Sequence, residues 1–207
     1  MITENNKNLH SFLQQASIYN FAQNILGGTK ARKKMIEKYL KFQSGEKILD
    51  MGCGAGNMLD LIDNKDIQYY GIDYNESYIE FAKNKFKDLG EFHCGKISDS
   101  TFSENTFDTV ISIGVLHHLS DSECIQLVNE AAKSVNDKGR FVAFEPIWVE
   151  NQNPIAKFIL SNDRGKNIKN KEGYKKLLLE TFKNVEINID HDFFNIPYTI
   201  ATIVCSN

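Results

Sequence analysis

The chain reads as an α/β protein whose strands build a mostly parallel, doubly wound sheet. Three observations predict this. Apolar, strand-like runs alternate with amphipathic, helix-like stretches from residue 45 to residue 146, the pattern of βαβ units with right-handed crossovers. A glycine-rich turn, Gly52-Cys53-Gly54-Ala55-Gly56, follows the first of these runs. An acidic residue, Asp73, closes the second run 21 residues beyond Gly52.

The elements follow in order. Residues 9–26 fit an amphipathic helix stopped by Gly27-Gly28, and a second helix is expected from Thr29 to Phe42. Its basic group, Lys30, Arg32, Lys33 and Lys34, reads as a solvated face, with an anion contact as the alternative. Two helices ahead of the first strand suit a lid over a ligand, residues 1–44. The first strand is Lys47 to Met51, and a helix is expected to begin at Met58-Leu59-Asp60-Leu61-Ile62 beyond the glycines. A second strand runs from Ile67 to Asp73. Ser77 then reads as the N-cap of a helix ending near Leu89 and Gly90. Glu91–Gly95 is the third strand and Phe107–Ile113 the fourth, the latter almost continuously apolar like a strand buried on both faces. Ser120 or Asp121 caps the next helix, and Gly139–Pro146 is the fifth strand.

The tail, residues 147–207, changes character. Residues 150–172 are polar and irregular around the short apolar piece Ile155–Leu160, followed by a helix at Tyr174–Phe182. The last two strands, Val185–Ile189 and Tyr198–Cys205, have no crossover helix between them. They must therefore pair antiparallel or stand apart.

Composition bounds the partners. A length of 207 residues suits one domain. With 24 basic and 27 acidic residues the net charge is −3, so no broad basic surface awaits a polyanion and a nucleic-acid partner is not expected. Cys53, Cys94, Cys124 and Cys205 are scattered without a C-x-x-C pair, so neither a metal site nor a disulfide framework is expected. No run of about 18 apolar residues is available to cross a membrane, and the first residues lack the apolar core of a leader. A soluble cytoplasmic monomer or homodimer is the expectation.

The glycine turn carries the chemistry. Glycine reaches positive φ and lets a ligand lie against the backbone, and a following helix would turn its unpaired N–H groups toward the same crevice. The dinucleotide fingerprint wants G-x-G-x-x-G. Counted from Gly52 the sixth position is Asn57, and the third glycine, Gly56, comes one residue early. Asp73, at the tip of the second strand, can accept from both ribose hydroxyls, with Tyr74 beside it for an adenine ring. A plain surface turn would use the same residues.

The D-x-G-x-G-x-G pattern from Asp50 to Gly56, with Asp73 and the stretch F-D-T-V-I-S-I-G-V-L-H-H-L, resembles class I S-adenosylmethionine-dependent methyltransferases. The resemblance implies a Rossmann-like seven-stranded sheet with an antiparallel C-terminal strand pair. It implies S-adenosyl-L-methionine as cofactor and methyl transfer to O, N or C of an acceptor. It also implies site roles: Asp50, Gly52, Cys53, Gly54 and Gly56 bracket the methionyl part, Asp73 holds the ribose, and Ile113 and Gly114 lie beside the sulfonium. Tyr19, on the expected N-terminal helix, is a candidate to close over the methionyl end or the acceptor, with core packing as the alternative. One departure stands out, because Gly95 is followed by Lys96 where the family often has an aspartate, and an ammonium cannot accept from the adenine amino group. Either the backbone at Lys96-Ile97 or the side chain of Asp99 takes that role.

The end of the fourth strand lacks the D/N-P-P-Y/F that resembles exocyclic-amine DNA methyltransferases, and no Pro-Cys nucleophile or Asp/Asn metal cluster follows. A small-molecule acceptor is the residual class. His117 and His118 are the base candidates by position, although two adjacent residues cannot both face the site, and local packing is the alternative for each. Glu145, at the end of the fifth strand, reads as a base, a substrate anchor or a partner of Arg164. Arg164 itself is a candidate contact for an anionic acceptor. An inactive cofactor-binding scaffold of the same fold and a nicotinamide-dependent oxidoreductase are the competing readings.

Overall fold

The computed structural model describes residues 27–63, 66–97, 102 and 104–207. The expected helix at 9–26, Tyr19 and Asp99 lie outside the described residues.

Seven strands carry the fold: β1 (Lys47–Met51), β2 (Gln68–Asp73), β3 (Glu91–Cys94), β4 (Phe107–Ile113), β5 (Val135–Pro146), β6 (Asn184–Asp190) and β7 (Ile200–Ser206). They form one sheet in the order β3-β2-β1-β4-β5-β7-β6. The first five strands pair parallel. β7 inserts antiparallel between β5 and β6, so the two crossover-free strands pair as the topology requires. Ile48, Leu49, Met51, Val110 and Ile111 are fully buried, because layers cover both faces of the central strands. Strand order reverses between β1 and β4, and the crevice outside their carboxyl ends is where such sheets take ligands.

Helices supply the layers: α1 (Gly28–Met35), α2 (Glu76–Phe86), α3 (Asp121–Ser134), α4 (Pro154–Ser161) and α5 (Lys171–Leu179). A π-helical turn, Ile36–Leu40, extends α1. Residues 28–40, read from the sequence as part of a lid, are built into the core: Ala31, Met35 and Leu40 are fully buried, clustered with Ile48, Met58 and Ile62. The basic face of α1 is solvent-exposed or half-buried, and with the turn that follows it also makes anchoring bonds. Lys34 donates to the Asp192 carbonyl at 2.6 Å, Lys30 to Asn195 Oδ1 at 3.2 Å and Lys38 to Asp190 Oδ1 at 2.7 Å, while Tyr39 donates to Asp190 Oδ2 at 2.9 Å. These bonds fasten the α1 segment to the connection between β6 and β7.

The helix expected at 58–62 is a single 3-10 turn, Leu59–Leu61, after which Ile62 is extended. Met58, Leu59 and Ile62 all turn into the core, and α1 fills the layer that a crossover helix would otherwise occupy. α2 begins earlier than expected. Asn75, extended at φ −85°, accepts from Tyr78 N and caps it, so Ser77 sits inside the first turn. α3 starts at Ser120 with a full capping box to Glu123. It passes directly into β5, which starts at Val135 and bulges before rejoining β4 at Arg140.

Candidate active site at the switch point

On the β1–β2 side the site is made of backbone. Gly52, Gly54 and Gly56 have φ of +83°, +54° and +73°, all left-handed. A Cβ at Gly52 would meet Val115 Cγ2 at 2.5 Å, so that glycine serves packing against the turn after β4. Gly54 differs: nothing lies within 4 Å of where its Cβ would point. Its N–H donates to Asp73 Oδ2 at 2.9 Å, and Asp73 Oδ1 accepts from Asn75 N at 2.9 Å. One carboxylate thus ties the glycine loop to the tip of β2. Its remaining lone pairs are available to a ligand in the open space over Gly54.

Two residues of the expected methionyl bracket face another way. The Cys53 side chain is buried against Gly71, and burial pushes its thiol well above the ordinary range, so only its backbone borders the crevice. Asp50 is 1% exposed beneath the loop, where Oδ2 accepts from Tyr69 Oη at 2.5 Å. Its Oδ1 has no hydrogen-bond partner among the described residues. Burial raises the Asp50 pKa to about 7, opposed by the Tyr69 hydrogen bond and by the charge of Arg32. Arg32 is therefore an electrostatic neighbour of Asp50, in line with the anion contact given as the alternative for its basic group. Tyr74 is 81% exposed at the rim. Lys96 is exposed, with its charge acting on Glu123 at the start of α3, and Ile97 packs partly against the core. The ammonium of Lys96 is thus engaged electrostatically elsewhere.

On the β4–β5 side the site is made of side chains. Beyond Ile113 the chain turns at Gly114 (φ +69°) into a 3-10 turn, Leu116–His118. The Glu145 carboxylate, fully buried, holds this turn from below. Its Oε1 accepts from Val115 N and Leu116 N, both at 2.9 Å, and its Oε2 accepts from His117 N at 3.2 Å. The same Oε2 lies 2.6 Å from His117 Nδ1. Glu145 therefore does not stand at a rim as a base or substrate anchor. A carboxylate with those four contacts and no solvent access is a clamp.

His117 is 6% exposed and occupied at both nitrogens, with Nε2 3.4 Å from Asp163 Oδ1. Burial disfavours its charged form, but the hydrogen bond and charge of Glu145, helped by Asp163, outweigh this and raise its pKa. Enclosed on both sides, His117 is poorly placed to meet an acceptor, and the exposed base candidate is His118. His118 is exposed; burial of part of its ring and the neighbouring His117 charge lower its pKa. An imidazole that stays neutral near physiological pH is the form able to accept a proton. Arg164 is exposed and its charge faces His118.

The segment after α4 completes this half. Gly165 lies directly on the His117 ring, leaving no room for a Cβ. Asp163 Oδ1 accepts from Gly165 N at 2.7 Å, and Asn167 N donates to the His117 carbonyl at 3.0 Å. Asp163 and Gly165 flank Arg164 in the sequence, but no role for them was legible there, because they lie more than forty residues from the histidines they contact.

A family profile described as a methyltransferase domain matches residues 48–139, the span holding the glycine loop, Asp73 and the His117-His118 turn. The chain is similar to 24-methylenesterol C-methyltransferase 3 of Arabidopsis thaliana, 30% identical over 142 residues, 63% of this chain and 38% of that protein. It is also similar to carboxy-S-adenosyl-L-methionine synthase of Campylobacter lari, 26% identical over 158 residues, 74% of this chain and 63% of that one. The chain thus spans less than two thirds of either relative. Among solved structures it shares its fold with a TehB-like methyltransferase from Corynebacterium glutamicum, with a TM-score of 0.67 and 18% identity over 97% of this chain and 98% of that one. Residues 48–139 thus match a methyltransferase domain, and the chain shares the fold of an S-adenosylmethionine-dependent methyltransferase of known structure.

Proposed function

We propose that this chain transfers a methyl group from S-adenosylmethionine to O, N or C of a small-molecule acceptor. The observation that carries the reading is the open space over Gly54, bordered by a carboxylate already bonded to the loop. Asp73 would hold the ribose, Tyr74 and the Lys96-Ile97 backbone the adenine, and Ile113-Gly114 the reacting end. The orphaned Oδ1 of Asp50 offers an acceptor for a donor on the methionyl portion.

The cofactor supplies an electrophilic methyl, so the protein's task is alignment. Holding nucleophile and methyl in line contributes roughly 7–11 kcal/mol. The clamped turn after β4 is suited to this, because Glu145 and Asp163 leave its backbone little freedom. Where the acceptor is a hydroxyl, His118 is the base, adding about 10²–10⁴-fold, and Arg164 beside it favours an anionic acceptor. The net charge of −3 opposes a polyanionic one, although one relative is named for a tRNA acceptor. No helix among the described residues is long and apolar enough to cross a membrane. A monomer or homodimer working in the cytoplasm suits this reading.

Titration with S-adenosylhomocysteine tests it. Binding should raise the melting temperature, and Asp73→Ala should weaken affinity by about 1.5–3 kcal/mol, the worth of charged hydrogen bonds. A folded Asp73→Ala protein with unchanged affinity removes the ribose role. Turnover of a panel of small anionic and neutral acceptors, read as S-adenosylhomocysteine formed, then identifies the acceptor.

A further inference from the structure

The His117–Asp163 contact has a second chemical meaning. We propose that His117, His118 and Asp163 form a binding site for one divalent transition metal of the zinc class at the mouth of the crevice. Each residue offers one ligand atom, and the three atoms lie within 4.8 Å of one another. His117 Nε2 and Asp163 Oδ1 are 3.4 Å apart. Ligand bonds of about 2.0–2.2 Å in a tetrahedron put neighbouring donors roughly 3.4 Å apart, so this pair already has the needed spacing. His118, exposed and next in sequence, closes the triangle with a ring nitrogen within 4.8 Å of the other two ligand atoms.

The surroundings match such a site. Imidazoles that bind metals usually donate their other nitrogen to a carboxylate, which fixes the tautomer and the ring plane. Glu145 Oε2 sits 2.6 Å from His117 Nδ1, and three backbone N–H groups hold that carboxylate in place. Two carboxylates converge on one imidazole, a local excess of negative charge that a dication offsets. A competing positive group, Arg164, is exposed to water. Two imidazoles and one carboxylate suit zinc-class ions better than Mg²⁺ or Ca²⁺, which prefer oxygen. Three protein ligands leave a fourth position open, the arrangement of a reactive site.

One consequence rests on the methyl-transfer reading. With the ion bound, His118 is a ligand rather than a base, and an acceptor hydroxyl entering the open position loses its proton more readily because the metal stabilises the alkoxide.

Binding itself is tested without activity. The full chain, stripped with chelator, is titrated with Co²⁺ followed by absorption and with Zn²⁺ in competition with a chromophoric chelator, Mg²⁺ serving as a parallel arm. The expected result is one Zn²⁺ per chain, a Co²⁺ spectrum without a thiolate charge-transfer band, and no competition from Mg²⁺. His118→Gln and Asp163→Asn should each weaken Zn²⁺ binding at least about tenfold, while keeping the thermal shift given by S-adenosylhomocysteine. His118 is exposed, so its variant keeps the test valid should Asp163→Asn fail to fold. Absence of Zn²⁺ binding, a thiolate band, or unchanged affinity in a folded His118→Gln protein overturns the proposal. None of these outcomes depends on whether methyl transfer occurs.

Discussion

The two banks of the crevice are built differently. Along β1 and β2 the ligand space is shaped by backbone: three glycines at positive φ, an open face at Gly54, and one carboxylate at Asp73 tying loop to strand. Along β4 and β5 it is shaped by buried side chains, with Glu145 beneath the turn, His117 on the carboxylate and Asp163 on His117. The first bank is a general receptacle, because backbone N–H groups and an empty left-handed corner demand little of the neighbouring sequence. The second depends on buried side chains whose partners lie far away in sequence.

The largest expected effect breaks the second bank. Glu145→Ala leaves three buried N–H groups and a buried imidazole without their acceptor, and should destabilise the fold by roughly 3–5 kcal/mol, as loss of one partner of a buried charged pair does. Urea unfolding measures it, with Glu145→Gln expected to cost less because one oxygen remains to accept. An unchanged midpoint would mean the turn stands without its clamp.

A pair of glycine variants sharpens the first bank. Gly52→Ala and Gly54→Ala both place a Cβ in the left-handed region, at about 1–2 kcal/mol. Gly52→Ala adds a collision with Val115 and should show chiefly in stability. Gly54→Ala meets no protein atom, so its loss should show in S-adenosylhomocysteine affinity, by at least about tenfold, the equivalent of 1.4 kcal/mol. Equal effects of the two on both readouts would erase the distinction between packing glycine and ligand glycine.

The smallest effect concerns protons. Asp50 titrates near 7 in the folded protein and near its ordinary 3.8 when unfolded, because burial penalises its charge. The folded state therefore holds the extra proton between those values, and this group's contribution to stability falls as pH rises from about 4 to about 7. A cationic ligand favours the ionised form. S-adenosylmethionine binding at pH 7 should thus release a fraction of a proton and weaken as pH falls, which calorimetry in buffers of different ionisation enthalpy detects. Asp50→Asn should abolish that release.

How much of this was legible follows from where the information lies. β4 occupies residues 107–113 as its apolar run foretold, and Asp73 ends β2 as its position foretold. Both signals are local. The helix expected at 58–62 was misread because buried residues at that spacing look the same in a turn that dives into the core. Ser77 lost the cap to Asn75, an equally good capping type two residues earlier. The roles of His117 and Glu145 could not be read, because burial and the Asp163 contact arise only when β4, β5 and the segment after α4 come together.

The position of β7 has a consequence for how the sheet is assembled. Without β7, β5 would expose one bare hydrogen-bonding edge, and the strand that satisfies it follows β6, which among the described residues pairs only with β7. The 53 residues between Pro146 and Ile200 must emerge before that edge is covered. Until then a nascent or truncated chain carries an open template for association with other chains, and its completion waits on contacts distant in sequence, which form slowly.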